Sequence, residues 1–237
     1  MDFARSLLFY AGYGSFTISW GALSVIVAWL LPYRARFRFI AGAWTRVALW
    51  WLRITCRVDC EVSGLEHIPA RPCIVLARHE SAWETLFLQT LFSPQATLIK
   101  RELLWIPFFG WAFALLRPIA INRDEPRQSL RRLIREGRAR LQAGTWVVLF
   151  PEGTRMPPRQ MGRFQAGGSA LAAATGTPIL VVAHNAGDHW PARKFSKHPG
   201  TIRFRIAPPL ITAGKTSKAI QAEASAVMAS LIESKRS

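Results

Sequence analysis

Residues 73–91 read CIVLARHESAWETLFLQTL: a short apolar run, then a polar turn, then a helical pattern. The run at 73–77 has the length and the continuous apolar character of a strand that a parallel sheet buries on both faces. The residues that follow, near 82–93, predict a helix. Polar side chains therefore lie between the end of a strand and the start of a helix, where open α/β sheets bind their ligands.

The same alternation of strand-like runs and helical patterns extends over most of the chain. Further strands are predicted at residues 53–62, 96–100, 118–122, 146–150, 179–183 and 202–206. Further helices are predicted near 107–116, 125–142 and 164–175, and at 218–233. The alternation predicts an α/β fold in which a mostly parallel sheet is flanked by helices and connected by right-handed crossovers.

The N-terminal part of the chain predicts a membrane segment. Residues 6–33 contain no charged side chain, and about 20 apolar residues suffice for a helix to cross a bilayer core. A second, more mixed segment at 37–52 predicts an interfacial helix with a basic face. The two segments form either one span plus a surface helix or a hairpin within one leaflet. We expect residues 1–52 to be the membrane part and residues 53–237 to be a separate domain.

Arginines flank the apolar segment unequally and predict its orientation. Five of them follow it closely, at Arg34, Arg36, Arg38, Arg46 and Arg53, whereas only Arg5 precedes it. The positive-inside rule then places the domain at 53–237 on the cytoplasmic side. A cleaved signal peptide is disfavoured because the apolar stretch is long and no A-x-A-like site follows it.

The charge of the chain points to an anionic partner. Lys and Arg number 31 against 14 Asp and Glu, which gives the 237 residues a formal net charge of +17. The candidates are a phospholipid surface, a nucleic acid or a phosphorylated substrate. The ten tryptophans favour the membrane, because half of them precede residue 52. Cys56, Cys60 and His67 lack a fourth ligand, so no metal site is predicted.

The predicted helix at 125–142 carries a row of arginines. Arg127, Arg131, Arg135 and Arg138 are spaced four, four and three residues apart and share one face. This face either is solvated or rests on anionic lipid headgroups.

Motifs at the ends of predicted strands carry the candidate chemistry. His79 and Glu84 place a carboxylate near an imidazole across a helix start, an arrangement that suits deprotonation of an alcohol. Residues 150–155 read FPEGTR, a glycine-containing turn whose Thr and Arg can bind a phosphate. Ile-Asn-Arg at 121–123 ends one further predicted strand, and Pro178-Ile179 begins another. A Walker-type phosphate loop is missing, which disfavours nucleotide hydrolysis.

In their order along the chain, His79 with Glu84, then Ile-Asn-Arg at 121–123, FPEGTR at 150–155 and Pro178-Ile179, the four motifs resemble those of the glycerolipid acyltransferases. The resemblance covers about residues 70–185 and is closest to the bacterial members that acylate 1-acyl-sn-glycerol 3-phosphate; FPEGTR is its most specific part. The family commonly has Asp where Glu84 stands, but the longer glutamate can still orient an imidazole. It also commonly has Asp at the position of Asn122.

The resemblance implies an activity and roles for particular residues. The reaction would be transfer of a fatty acyl group from acyl-coenzyme A or acyl-carrier protein to the sn-2 hydroxyl of lysophosphatidic acid, giving phosphatidic acid for phospholipid synthesis at the bacterial inner membrane. His79 would be the general base and Glu84 would orient it. The residues implied in substrate binding are Lys100, Arg123, Glu152, Gly153, Thr154 and Arg155. No metal and no cofactor is implied.

Two other functions stay open at this point. Another acyltransferase of the same family would use the same His79 and Glu84 with a lyso-aminolipid or another lysophospholipid as the acceptor. A non-enzymatic, membrane-anchored basic module that binds anionic lipid or nucleic acid would explain the charge, although no nucleic-acid-binding motif is present. A serine hydrolase is disfavoured because no G-x-S-x-G turn occurs.

Overall fold

The core of the structure is a seven-stranded sheet, seen in a computed structural model that describes residues 1–122 and 124–233. The strands are β1 Val58–Ser63, β2 Ile74–Ala77, β3 Gln95–Lys100, β4 Ile119–Ile121, β5 Trp146–Leu149, β6 Ile179–His184 and β7 Gly200–Ile206. Their order is β1-β7-β6-β2-β5-β3-β4, and β6 with β7 is the antiparallel pair. The predicted α/β fold with a mostly parallel sheet is confirmed.

Helices pack on both faces of this sheet. They are α1 Asp2–Val27, α2 Tyr33–Phe37, α3 Trp44–Cys56, α4 Trp83–Leu91, α5 Phe109–Ala114, α6 Pro126–Gln142, α7 Gly167–Thr175, α8 Ala186–His189 and α9 Ser217–Glu233. A π-helical segment, Arg38–Ala43, joins α2 to α3, and a 3₁₀ segment, Arg101–Trp105, follows β3. Every helix predicted in the domain at 53–237 is present within a few residues of its expected position.

Alternation along the buried strands divides the interior into two cores. In β2, Val75 and Ala77 point into a core with α1, α3 and α4, whereas Ile74 and Leu76 point into a core with α6, α7 and α9. Successive side chains of a strand face opposite sides of a sheet, so a continuous apolar run fills both cores. The basic helix α6 is therefore on the opposite face of the sheet from α1 and α3.

The predicted strand at 53–62 is wrong in its first half. Helix α3 continues to Cys56, and β1 begins only at Val58, after Arg57 adopts a left-handed conformation with φ 56°. The helix continues because Leu52, Thr55 and Cys56 extend its buried face into the core. The β-branched Ile54 and Thr55 misled the sequence-based prediction. The boundary predicted between residues 52 and 53 falls inside this helix.

The N-terminal helix α1 packs along the rest of the protein instead of projecting from it. Trp44 donates its indole N–H to the hydroxyl of Thr17 at 3.0 Å, and Trp51 donates to the carbonyl of Phe9 at 3.2 Å. These contacts pair α1 with α3 as a helical hairpin. At one end, the backbone N–H of Lys197 donates to the Ser6 hydroxyl at 2.8 Å. Towards the other end, Gly21 lies against Phe108.

The outer surface of the hairpin is apolar. By length and composition, residues Asp2–Leu30 form a helix that could cross a membrane, and 17% of their most apolar window is buried. Large hydrophobic side chains are exposed on this helix, on α3 and on the segment around α5, as at Ile26, Trp29, Leu30, Trp50, Ile54, Leu103, Trp105, Ile106 and Trp111. We call this surface the apolar face. A patch of this extent marks a site of membrane or protein contact.

We predict that Gly12→Leu destabilises the hairpin and that Gly14→Leu does not. A Cβ atom at Gly12 would lie 2.4 Å from the Trp51 indole nitrogen, whereas nothing lies within 4 Å of one at Gly14. Overpacking costs about 1–3 kcal/mol, and each kcal/mol lowers Tm by about 2–4 °C in a chain of this length. Thermal unfolding in detergent measures the effect. Equal Tm values for the two variants would contradict the packing of α1 on α3.

Candidate active site

The candidate site lies at the carboxyl ends of three adjacent strands. His79 follows β2, the turn that begins at Phe150 follows β5, and His184 ends β6. Because β6, β2 and β5 are neighbours in the sheet and run in the same direction, their ends meet at one edge. The two motifs that the sequence places 66 or more residues apart are thus brought together.

His79 and Glu84 form a hydrogen-bonded pair. The distance between Nδ1 of His79 and Oε1 of Glu84 is 2.7 Å. The same carboxylate oxygen accepts the backbone N–H groups of Glu80 and Ser81, at 3.1 and 2.9 Å. Since an ionised carboxylate only accepts hydrogen bonds, Nδ1 carries the proton, and Nε2 of His79 is left as a base. Glu84 is in the first turn of α4, so the helix start presents its carboxylate to the imidazole.

The surroundings keep Glu84 ionised. Its side chain is fully buried, and burial alone would raise the pKa of the carboxyl group. The imidazole of His184 and the hydrogen bond with His79 outweigh burial, so the pKa of Glu84 is lowered. Its second oxygen, Oε2, has no hydrogen-bond partner among the described residues, and Nε2 of His184 lies 3.9 Å away.

The peptide group between Arg78 and His79 is clamped from both sides. The backbone N–H of Ala186 donates to Nδ1 of His184, so the ring proton is on Nε2, which donates to the Arg78 carbonyl at 2.9 Å. On the other side, the backbone N–H of His79 donates to Oε2 of Glu152 at 3.0 Å. The carbonyl of His79 accepts the N–H of Met156 at 2.7 Å. The backbone position of His79 is therefore fixed by residues from β6 and from the loop after β5.

A buried group of charges underlies this clamp. The guanidinium of Arg78 is fully buried and donates to a carboxylate oxygen of Glu80 and to the carbonyls of Pro157 and Gln160. Its other terminal nitrogen lies 3.8 Å from Oε1 of Glu152. The sequence analysis assigned no role to Arg78 or Glu80. The sequence does contain a sign of this pairing, because both charges stand at the end of a strand that is predicted to be buried. Buried charges are kept only when they are paired.

Glu152, for which the resemblance implies substrate binding, contacts backbone groups of the site. Both of its oxygens accept backbone N–H groups, from His79 and from Gly162 at 3.0 Å, and its side chain is buried. Gly153 turns the chain with φ 70°, and Thr154 and Arg155 are exposed beside it. Arg155 donates from Nε to the Ser81 carbonyl at 3.0 Å, which ties its guanidinium to the turn between His79 and α4.

The remaining predicted binding residues lie further along the sheet. Lys100 is the exposed last residue of β3, and β5 separates that strand from β2. Asn122 donates its amide to Glu125 at 2.9 Å. Arg123, which the sequence analysis predicts to bind phosphate, lies outside the described residues. Within the described part of the chain, no group of three or more His, Cys, Asp or Glu side chains could hold a metal ion.

The sequence and the fold both have counterparts among known proteins. The family model described as Acyltransferase matches residues 59–185, more than half of the chain. A Pseudomonas aeruginosa 1-acyl-sn-glycerol-3-phosphate acyltransferase is 48% identical over 216 residues, which cover 91% of this chain and 84% of the relative. The mouse 1-acyl-sn-glycerol-3-phosphate acyltransferase alpha is 29% identical over 74% of this chain and 63% of its own length.

A solved structure has the same fold. The crystal structure of the 1-acyl-sn-glycerophosphate (LPA) acyltransferase from Thermotoga maritima superposes with a TM-score of 0.82 and 23% sequence identity. The superposition covers 100% of this chain and 96% of that one, so the fold is shared over the whole length, including the N-terminal helices.

We predict that ionised Glu84 stabilises the fold in a pH-dependent way. Because its folded pKa is below the ordinary value of 4.5, this stabilisation is complete above that value and is lost as the pH falls through the folded pKa. The difference in Tm between the wild type and Glu84→Gln should therefore shrink in acid. Thermal unfolding across a pH series measures it, with Glu61→Gln, an exposed glutamate of β1, as the control. A difference that does not change with pH would contradict the lowered pKa.

Proposed function

Because the chain belongs to the acyltransferase family, we propose that it acylates the sn-2 hydroxyl of 1-acyl-sn-glycerol 3-phosphate and so makes phosphatidic acid. The names of the two relatives and the order of the four motifs support this acceptor. The acyl donor is a thioester, of either coenzyme A or acyl-carrier protein. The observation that carries the proposal is the His79–Glu84 pair, whose 2.7 Å hydrogen bond leaves Nε2 of His79 unprotonated.

The proposed reaction is a direct transfer in which His79 moves one proton. Nε2 of His79 takes the proton of the acceptor hydroxyl while the oxygen attacks the thioester carbonyl carbon. The ionised Glu84 stabilises the imidazolium that forms. The tetrahedral intermediate collapses as the C–S bond breaks, and the imidazolium returns its proton to the departing thiolate. Neither an acyl-enzyme nor a metal is required.

The acceptor phosphate is assigned first to Arg155, an exposed cation in the loop after β5. Arg155 is tied to the Ser81 carbonyl through Nε, so the two terminal nitrogens of its planar guanidinium remain to bind phosphate oxygens. Gly153 and Thr154 form the turn that carries it. Lys100, the exposed last residue of β3, and Arg123, which the family resemblance implies, complete the proposed set of cations. We assign Glu152 to the clamp, because both of its oxygens are occupied by backbone N–H groups.

The apolar face provides the proposed membrane attachment. A single-chain lysolipid resides in a membrane, so an enzyme that uses it gains from lying against the bilayer. Helix α1 contacts the domain near both of its ends, at Ser6 and at Gly21, which supports a hairpin lying in one leaflet. The arginines that follow α1 place the domain on the cytoplasmic side of the inner membrane in this proposal.

We predict that His79→Ala loses activity by a factor of about 10²–10⁴, the usual contribution of a general base. Phosphatidic acid formation by detergent-purified protein, with lysophosphatidic acid and each thioester donor, measures it. His198→Ala is the matched control, because His198 is exposed and the hydrogen-bond partner of its ring is Asp2, at 3.3 Å. A variant lacking His79 with normal activity would refute the mechanism. If another lysolipid gave product and lysophosphatidic acid gave none, that other lysolipid would be the acceptor.

We predict that Glu152→Gln lowers kcat by roughly 10- to 100-fold, because small displacements of a catalytic group have effects of that size. An amide nitrogen would face either the His79 or the Gly162 backbone N–H, and one donor would lose its acceptor. KM for the acceptor should change little. Steady-state kinetics in both substrates separate the two parameters. A raised acceptor KM with normal kcat would restore the role in substrate binding that the family resemblance implies.

A further inference from the structure

A second basic site lies beside the catalytic edge of the sheet. A cleft of about 360 Å³ opens between the 3₁₀ segment Arg101–Trp105 and the first half of α6. Its walls carry four arginines and one glutamate, Arg101, Arg131, Arg132, Arg135 and Glu125. The proposed reaction uses none of these side chains. We call this the arginine cleft.

The cationic groups of the cleft are only partly neutralised. Arg132 pairs with Glu136 at 2.8 Å, and Arg135 lies 3.6 Å from the same carboxylate. Arg131 has no ion pair within the described residues, and Arg101 lies over the ring of Trp105. Glu125 accepts a hydrogen bond from Asn122. Several clustered guanidinium groups with so few carboxylates form a site for a ligand with more than one negative charge, and guanidinium geometry favours phosphate.

The arginine cleft is within reach of His79. It lies at the carboxyl ends of β3 and β4, because Arg101 directly follows β3 and Asn122 directly follows β4. In the order β2-β5-β3-β4, three strand spacings of about 4.8 Å place β4 roughly 14 Å from β2. A ligand anchored there could extend an arm of this length along the edge to His79.

The two walls of the cleft lie on different sides of the molecule: the wall at Arg101–Trp105 belongs to the segment that carries Leu103 and Trp105 of the apolar face, whereas the wall formed by α6 does not. Helix α6 packs in the core with α7 and α9, on the face of the sheet opposite the hairpin of α1 and α3. Most of the apolar face is thus turned away from Arg131 and Arg135. Arg131 and Arg135 are exposed, so a ligand that arrives from solution can reach them.

We propose that the arginine cleft binds the phosphates of a nucleotide-bearing acyl thioester, the 3′-phosphate and diphosphate of acyl-coenzyme A. This inference rests on the proposed function and extends it to the donor. The pantetheine arm joins the diphosphate to the thioester, so phosphates held in the cleft deliver the carbonyl carbon to His79. The cleft acts only in binding, because all of its contacts are with parts of the donor that do not react.

The test compares two donors that differ only in the nucleotide that carries these phosphates. Kinetics are measured with acyl-coenzyme A and with the same acyl group on pantetheine, which lacks the nucleotide. For Arg131→Gln/Arg135→Gln we expect KM for acyl-coenzyme A to rise about tenfold with kcat unchanged, the loss expected for two exposed ion contacts. With acyl-pantetheine, the variant and the wild type should have the same KM.

A charge-matched control and a binding measurement complete the design. Arg71→Gln/Lys218→Gln removes the same charge from exposed positions outside the cleft and should leave both KM values unchanged. Calorimetric titration with coenzyme A itself should show binding to the wild type and none to the cleft variant. Inorganic phosphate should compete weakly for the same site. This titration needs no turnover, so it tests the cleft even if the proposed reaction fails.

Four outcomes would overturn the proposal. The cleft variant could raise KM for acyl-pantetheine as much as for acyl-coenzyme A. KM for acyl-coenzyme A could rise as much in the charge-matched control as in the cleft variant, which would indicate that the donor is attracted by the net charge of the protein and not by the cleft. An effect confined to acyl-carrier protein would make the cleft a docking surface for an acidic protein. Loss of binding to anionic vesicles, with normal donor kinetics, would make it a lipid site.

Discussion

The burial of Arg78 is the constraint on which the site depends. A fully buried guanidinium needs partners for its charge and its donors, and here they come from three separate parts of the chain, with Nη1 held by the Glu152 charge at 3.8 Å and by no hydrogen bond within the described residues. Glu80 follows β2, Glu152 follows β5, and Gln160 belongs to the loop that leads to α7. By drawing these parts together, Arg78 sets the distance between the strand that carries His79 and the loop that carries Arg155. A clamp built on buried charges also resists small shifts, because each displacement leaves a charge or an N–H group without a partner.

The sheet order explains why this clamp can form. Since β2 lies between β6 and β5, the residue after β2 has one neighbour on each side, and these supply His184 and Glu152. The peptide group before His79 is held through its carbonyl from one side and through its N–H from the other. The carboxylate of Glu84 then fixes the orientation of the His79 ring. Phe150 stacks on the same ring, with the two ring centroids 4.2 Å apart. Backbone and ring are thus positioned by different residues.

Much of this arrangement could be predicted from the sequence, and the exceptions have a common cause. Short β-rich runs, several of them continuously apolar, predicted the seven strands apart from the first half of 53–62, and short spacing predicted the His79–Glu84 pair, because both signals are local. The contacts of Glu152 and His184 with the peptide group before His79 join residues 73 and 106 positions apart, so no local pattern reports them. The same holds for the packing of α1 along the domain, where the apolar composition of residues 6–33 fitted a span and a hairpin equally well. At 53–57, local β propensity was overridden by burial of Thr55 and Cys56 in the core.

The two faces of the sheet give the proposed direct transfer a physical basis. Without an acyl-enzyme, the lysolipid and the thioester must be bound at the same time, and neither can occupy the approach of the other. The apolar face, built on α1, α3 and the segment around α5, lies mostly on one side of the sheet, and the α6 wall of the arginine cleft lies on the other, with the segment Arg101–Trp105 between them. His79 stands at the strand ends between them, with 16% of its side chain exposed. In the proposed reaction a lipid acceptor from one side and a phosphorylated donor from the other therefore meet at a base that little water can reach, which favours acyl transfer over hydrolysis of the thioester.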